Sequence, residues 1–315
     1  MKTILVTGGA GFIGSHLCER LLALGNRVIN LDSFNNFYDP SIKRSNITKS
    51  LPDPNYVLVE GDIRDASLLE SIFTNHRIDT VVHLAALAGV RQSIENPLEY
   101  IDVDIKGTVN LLDFSKKHKV KKFVFASSSS VYGLASPPFK EGGPITLQTS
   151  PYAAAKYSGE QFCRTYHSLY KLPMVILRFF TVYGPRQRPE MAIHNFTVLM
   201  EQGREIPIFG DGKSSRDYTY IDDIVEGILS SIPLDCEYEV FNLGNSYPVK
   251  LNTLISLIEA KTGKIALKRF LPAQPGDMDT TCADITKAKK LLGYSPGVSI
   301  EEGIERFVHW YKSER

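Results

Sequence analysis

The chain contains no apolar stretch approaching the ~18 residues that a membrane-spanning helix needs. Charge of one sign is also missing: Lys and Arg number 36 against 35 Asp and Glu, which leaves a net charge of +1. A nucleic-acid-binding protein carries a basic excess or stripe, and neither is present. The longest basic run, Lys116-Lys117-His118-Lys119-Val120-Lys121-Lys122, reads as the solvated end of a helix, favoured there by the helix dipole. Cysteine is scarce. Cys18, Cys163, Cys236 and Cys282 show neither CxxC spacing nor a zinc pattern, which argues against a metal site and fits reduced thiols in a cytoplasm. The opening segment is too short for a signal peptide, because Gly8 and Gly9 break it at once. Internal repeats, low-complexity tracts and a Ser/Gly-rich linker are absent too. A soluble cytoplasmic protein without metal, membrane or nucleic-acid partners is expected.

What is present points to a globular enzyme. A content of 43% hydrophobic and 23% charged residues rules out general disorder, and 315 residues suffice for one large domain or two closely joined ones. Short apolar runs at 4–7, 28–31, 56–59, 80–84, 123–126 and 175–179 are β-branched and unalternating, as strands buried on both faces are. Helical patterns lie between them at 11–24, 66–75, 104–118 and 152–169. The alternation predicts an α/β fold with a Rossmann-type, doubly wound parallel sheet over 1–183. Beyond Gly184 the texture turns to prolines, glycines and short apolar runs. A smaller α+β lobe over 184–315 is expected, with some interleaving and a ligand cleft between the two parts.

Gly8-Gly9-Ala10-Gly11-Phe12-Ile13-Gly14 follows the first strand and opens the first helix. Glycines there let a backbone approach a pyrophosphate, whose charge the free N–H groups of the helix N-terminus stabilise. Asp32 ends the second strand, where a carboxylate accepts hydrogen bonds from an adenosine ribose and repels a 2′-phosphate. NAD is therefore favoured over NADP. His16 and His83 have no triad or metal spacing around them and read as packing and hydrogen-bonding residues.

Tyr152-Ala153-Ala154-Ala155-Lys156 sets a phenol and an ammonium at i and i+4, on one face of a helix. It follows Ser127-Ser128-Ser129-Ser130 at the carboxyl end of the fifth strand, where open α/β sheets bind ligands. A phenol of pKa ~10 is a poor base at neutral pH; a neighbouring ammonium and a positive nicotinamide stabilise its phenolate and bring it into the working range.

The Gly8-x-x-Gly11-x-x-Gly14 spacing, together with this Ser, Tyr and Lys set, resembles the extended branch of the short-chain dehydrogenase/reductase family. Asp62-Ile63 and His83-Leu84-Ala85-Ala86 match its later segments in the right order. The resemblance implies NAD contacts from Gly8, Gly11, Phe12, Ile13, Gly14, Asp32, Asn35, Asp62, Ile63, Leu84, Ala85 and Ala86, with Tyr152 and Lys156. It implies catalysis by Ser128, Tyr152 and Lys156. It also implies a homodimer through the helices at 104–118 and 152–169, with Leu111, Leu112 and Phe162 as apolar surface.

The C-terminal part resembles the substrate lobe of nucleotide-sugar epimerases and dehydratases. Ile206-Pro207-Ile208-Phe209-Gly210 looks like the segment over the uracil of a UDP-sugar, and Ser215-Arg216-Asp217-Tyr218 like the stretch whose arginine pairs with the diphosphate. Pro275-Gly276-Asp277 and Ala283-Asp284 look like the segment contacting the nucleotide ribose; Gln274 stands where UDP-galactose 4-epimerases often have arginine. Thr181-Val182-Tyr183-Gly184-Pro185 followed by Arg188-Pro189-Glu190-Met191-Ala192 resembles UDP-glucuronate 4-epimerases, as do the stretches at 32–40 and 88–91. The dehydratase Asp-Glu pair is replaced by Ser129-Ser130. Oxidising glucuronate at carbon 4 makes a β-keto acid, so its carboxylate must be held away from the alignment that loses carbon dioxide. Ser129, Ser130 and Thr181 can donate hydrogen bonds to it and Arg188 can supply charge; Arg91 is a further candidate contact. A surface role for either arginine stays open. So do a 4-epimerase of neutral or N-acetylated UDP-sugars, a UDP-glucuronate decarboxylase and a non-catalytic NAD-sensing module.

Overall fold

A computed structural model of the chain describes residues 1–273, 276 and 278–314. Six strands occupy the expected runs: β1 (Thr3–Thr7), β2 (Arg27–Asp32), β3 (Tyr56–Glu60), β4 (Thr80–His83), β5 (Lys122–Ser128) and β6 (Met174–Phe179). Then follow β7 (Thr181–Tyr183), β8 (Glu205–Phe209), β9 (Ser215–Tyr220), β10 (Tyr238–Leu243), β11 (Pro248–Lys250) and β12 (Leu267–Leu271). The main sheet has the order β3-β2-β1-β4-β5-β6-β10, and all its pairings are parallel. Alternation along each strand sorts the side chains. Ile4, Val6, Val28, Val82, Val124 and Val175 join the core on one face, whereas Leu5, Ile29, Val81, Phe123 and Ile176 join the core on the other. Burial on both faces explains the continuous apolar runs.

Strand order reverses between β1 and β4, and the crevice at such a switch point is where open sheets take their ligands. The chain beyond Gly184 is not confined to the second lobe, since β10 returns to the edge of the main sheet beside β6. Two small sheets, β11-β9-β7 and β12-β8, build the roof of the crevice. Asp217 ties that roof together. Fully buried, its carboxylate accepts hydrogen bonds from the N–H groups of Asn245 (2.7 Å), Ser246 (3.0 Å) and Ala283 (2.8 Å).

Two expectations are corrected here. The helix expected at 104–118 begins as α-helix only at Gly107, after a π-helical turn over Ile101–Lys106, which widens the backbone just where Asp104 turns inward. Leu111 and Leu112 are fully buried in this protomer, packed among Leu5, Phe123 and Ile176, so they offer no surface to a partner. The amphipathic helix needs them against its own sheet. Phe162 is 38% exposed, and Ile94, Leu98 and Ile101 also stand open. No helix among the described residues is long and apolar enough to cross a membrane.

Candidate active site

One cavity of about 720 Å³ runs along the carboxyl ends of the strands and beneath the roof. It is bordered by all the expected cofactor, catalytic and carboxylate residues and by Phe209 and Arg216; Asp277 lies outside the described residues, along with Gln274 and Pro275. Asp284 does not reach it and instead pairs with Lys140 at 3.7 Å in a separate depression.

At one end the cavity wall is backbone. Gly8 has φ +72°, and a Cβ there would lie 2.8 Å from the Ala85 nitrogen; a Cβ on Gly14 would run into the Gly8 carbonyl and lie 2.7 Å from the Gly9 Cα. Gly11 caps the helix Phe12–Ala23 without any side-chain acceptor. The first-turn N–H groups therefore have no helical partner and are available to an anion. The glycine cradle and the unpartnered N–H groups fit a dinucleotide's pyrophosphate.

Asp32, at the end of β2, accepts hydrogen bonds from the N–H groups of Ala10 (3.0 Å) and Phe34 (2.9 Å), which fix its carboxylate. Lys43 stands 3.8 Å from it and donates to Asn35 Oδ1 at 2.8 Å. Burial pulls the Lys43 ammonium below its ordinary pKa, against the opposing pull of Asp32. Nothing flanking this lysine marked it in the sequence, since its approach to Asp32 depends on how the helix Pro40–Asn46 folds back onto β2. Asp62 is gripped by Arg64 through 3.0 and 2.8 Å bonds, which hold its carboxyl below the usual range.

His83 spends both ring nitrogens on hydroxyls, Thr7 at 2.7 Å and Thr108 at 3.0 Å. Burial, with Lys156 second, lowers its pKa to about 3, so it is neutral and structural. His16 likewise bonds the Pro185 carbonyl at 3.0 Å, its pKa lowered to about 4 by burial and by Arg186.

Mid-cavity, the helix Pro151–Tyr170 carries the phenol and the ammonium. Ser150 caps it by accepting from the Ala153 N–H at 3.2 Å, and Pro151 presets the first turn. Tyr152 and Lys156 both line the cavity, one turn apart. Lys156 is buried and donates to the Ala126 carbonyl of β5 at 3.0 Å. Ser128 ends β5, accepting from the N–H of Ser130 at 3.2 Å and from its hydroxyl at 2.9 Å. Thr181, at the start of β7, lies just past the Phe179 that pairs with Ser128.

Below these residues sits Asp104, 3% exposed. One carboxyl oxygen accepts from the Leu87 N–H at 2.7 Å, and the other has no partner among the described residues. Burial pushes its pKa up to about 7, with Lys156 opposing and Glu99 adding to the rise. Nothing in the sequence marked it, because the π-helical turn that buries it interrupts a plain helical pattern.

The roof is made of side chains from separate elements: Arg91 on the helix Val90–Glu95, Phe209 on β8, Arg216 on β9 and Arg188 on the loop before the helix Ala192–Glu201. The Arg91 guanidinium lies 4.2 Å from the centroid of the Phe209 ring. Arg216 donates to its own strand's Ser215 carbonyl at 3.0 Å. Arg188 Nε is 3.0 Å from Glu190 Oε1, its Nη1 donates to the Ala88 carbonyl at 3.3 Å, and its guanidinium lies 5.5 Å from the Phe37 centroid.

Comparison with known proteins agrees with this layout. The family model for GDP-mannose 4,6 dehydratase matches residues 5–307. A UDP-glucuronate 4-epimerase of Thermodesulfobacterium geofontis is 45% identical over 99% of this chain and 97% of its own. The chain belongs to that family, among the NAD-dependent nucleotide-sugar epimerases of the extended short-chain dehydrogenase/reductases. Two solved epimerases share the fold at full length. UDP-glucuronic acid 4-epimerase from Bacillus cereus, with UDP-glucuronic acid and NAD, is 40% identical with a TM-score of 0.93, covering 99% of this chain and 100% of the other. UDP-glucose 4-epimerase from Thermotoga maritima, with UDP-glucose, is 37% identical with a TM-score of 0.90, covering 99% of each. The chain is thus an NAD-dependent carbohydrate epimerase.

Proposed function

We propose that the chain interconverts UDP-glucuronate and UDP-galacturonate by 4-epimerisation. The observation that carries this reading is the guanidinium of Arg188, held on a carboxylate inside the cavity that also contains Ser128, Tyr152 and Lys156. The relatives named for UDP-glucuronate support it.

NAD, when bound, supplies the acceptor and later the donor of a hydride. The glycine cradle and the N–H groups of Phe12, Ile13 and Gly14 would receive its pyrophosphate, Asp32 and Lys43 its adenosine ribose, and Asp62 and Ile63 its adenine. Leu84, Ala85 and Ala86 line the path to the reacting end. Tyr152 takes the proton of the sugar's 4-hydroxyl while Lys156 stabilises the phenolate, and Ser128 holds the reacting oxygen. Arg216 and Phe209 keep the diphosphate and base in place while the 4-keto sugar turns to present its other face. Tyr152 then returns the proton. Arg188, Thr181, Ser129 and Ser130 hold the carboxylate out of line with the ketone, which blocks decarboxylation. Arg91 braces the roof through Phe209.

Purified enzyme given UDP-glucuronate, UDP-glucose, UDP-galactose and their N-acetyl forms should convert UDP-glucuronate best and accumulate no NADH. Faster turnover of UDP-glucose moves the chain to the neutral-sugar reading, and release of carbon dioxide from UDP-glucuronate to the decarboxylase reading. NADH formed mole for mole with product makes it a dehydrogenase. The same proposal includes a two-fold homodimer, through Ile94, Leu98, Ile101 and Phe162 on the helices beside the cavity. A monomeric mass by light scattering at micromolar concentration contradicts it.

A further inference from the structure

The guanidinium that the glucuronate reading assigns to the substrate already has a carboxylate partner within the chain itself. Arg188 is 18% exposed in its side chain, and its Nε is 3.0 Å from the Glu190 carboxylate. The pair stands within one turn, closed by the Met191 N–H on the Arg188 carbonyl at 3.1 Å. The Ala88 carbonyl at 3.3 Å holds the guanidinium from the opposite wall. Both residues line the cavity, and Glu190 is the more exposed partner, at 33% of its side chain. It is therefore the one free to swing towards water. A planar guanidinium pairs with one carboxylate on a given edge at a time. The carboxylate of an acidic sugar and that of Glu190 have the same charge and the same geometry, so they compete for that edge.

We propose that Glu190 is a resident counter-anion, displaced from Arg188 by the substrate carboxylate, and that it sets how strongly the site prefers an acidic sugar over a neutral one. This rests on the reading of Arg188 as the carboxylate clamp. A neutral hexose has nothing to exchange for Glu190 and leaves the pair closed. An acidic hexose opens it and sends Glu190 to solvent. The arrangement weakens acidic ligands while keeping the empty cavity free of an uncompensated cation. A product that binds less tightly leaves sooner, which suits a reaction whose two partners carry the same carboxylate.

The test measures binding on NAD-loaded enzyme in a Tyr152→Phe background, in which turnover is slow enough for titration. UDP-glucuronate and UDP-glucose are titrated calorimetrically into that background alone and with Glu190→Gln, Arg188→Ala or both. Glu190→Gln should tighten UDP-glucuronate about two- to fivefold, the upper part of the range for one partly exposed charge pair, and leave UDP-glucose unchanged. Arg188→Ala should weaken UDP-glucuronate selectively, and Glu190→Gln should bring no gain once the arginine is gone. If Arg188→Ala is selective but Glu190→Gln leaves UDP-glucuronate unchanged or weaker, Glu190 merely supports the arginine. The counter-anion idea then fails while the glucuronate reading stands. If Arg188→Ala weakens both sugars alike, the clamp reading fails and takes the proposal with it.

Discussion

The floor and the roof of the cavity are built by different means. On the floor the wall is backbone and buried polar groups already paired: Gly8 against Ala85, Asp32 on two N–H groups, His83 between two hydroxyls, Lys156 on a carbonyl. On the roof it is side chains from a helix, two strands and a loop, and their partners are provisional: Arg188 on Glu190, Arg91 over Phe209, Arg216 on its own strand's carbonyl. Rigid preorganisation suits a cofactor whose hydride must leave and return along one line. Exchangeable contacts suit a sugar that has to turn over between the two transfers. The contrast also forecasts how substitutions behave. A floor change should act on chemistry or on folding whatever sugar is offered, and a roof change should depend on the sugar.

The largest effect is expected at Tyr152. Tyr152→Phe removes one hydroxyl and leaves the apolar ring, which meets Tyr100 edge-on with centroids 6.2 Å apart. Turnover should fall by about 10²–10⁴, the usual worth of a positioned proton-transfer group, and by the same factor for every UDP-sugar accepted. NAD should stay bound. Turnover assays with each sugar, and cofactor released on denaturation, check both statements. A loss confined to acidic sugars would put Tyr152 among the roof residues and break the comparison.

The same contrast explains what the sequence could disclose. The six strands of the first half and the helices at 66–75 and 152–169 were legible, because strands buried on both faces and helices with one apolar face leave periodic marks. The cradle was legible because a backbone site must be contiguous: glycine at 8, 11 and 14, then a carboxylate at the end of the next strand. Roof residues were reached through the resemblance, since no local rule ties Arg91 to Phe209, which meet only after the chain folds back. Lys43, Asp104 and the pairing of Glu190 escaped, for each depends on a tertiary neighbour rather than on its flanking residues. Leu111 and Leu112 failed for the converse reason: an apolar pair on a helix does not say whether a sheet or a second subunit covers it.

A smaller effect, on stability rather than turnover, is expected at Asp104. The groups acting on its carboxyl are the Leu87 N–H, Lys156 and Glu99, and burial outweighs them all. Its ordinary pKa of 3.8 rises to about 7 in the folded chain. Below pH ~4 both folded and unfolded chains hold the proton, so this group's contribution to stability is fully present. Between ~4 and ~7 only the folded chain holds it, and stability falls as pH rises. Above ~7 both are ionised and the contribution is gone. Integrated over roughly three pH units, the loss is at most about 4 kcal/mol. His83, with its pKa near 3, stays neutral throughout and adds nothing to the slope. Asp104→Asn keeps an oxygen for the Leu87 N–H and abolishes the titration. Below pH ~4 the variant should match the wild-type chain in unfolding free energy, and by pH 5 it should already lead by roughly 1–2 kcal/mol. By pH 8 it should be the more stable, by roughly 2–4 kcal/mol. Urea unfolding at pH 5, 6, 7 and 8 provides the comparison. Parallel wild-type and Asp104→Asn curves across that range would mean that the carboxylate is ionised in the folded chain, with Lys156 outweighing burial. The floor would then be held by an ion pair between Asp104 and Lys156 rather than by a protonated acid.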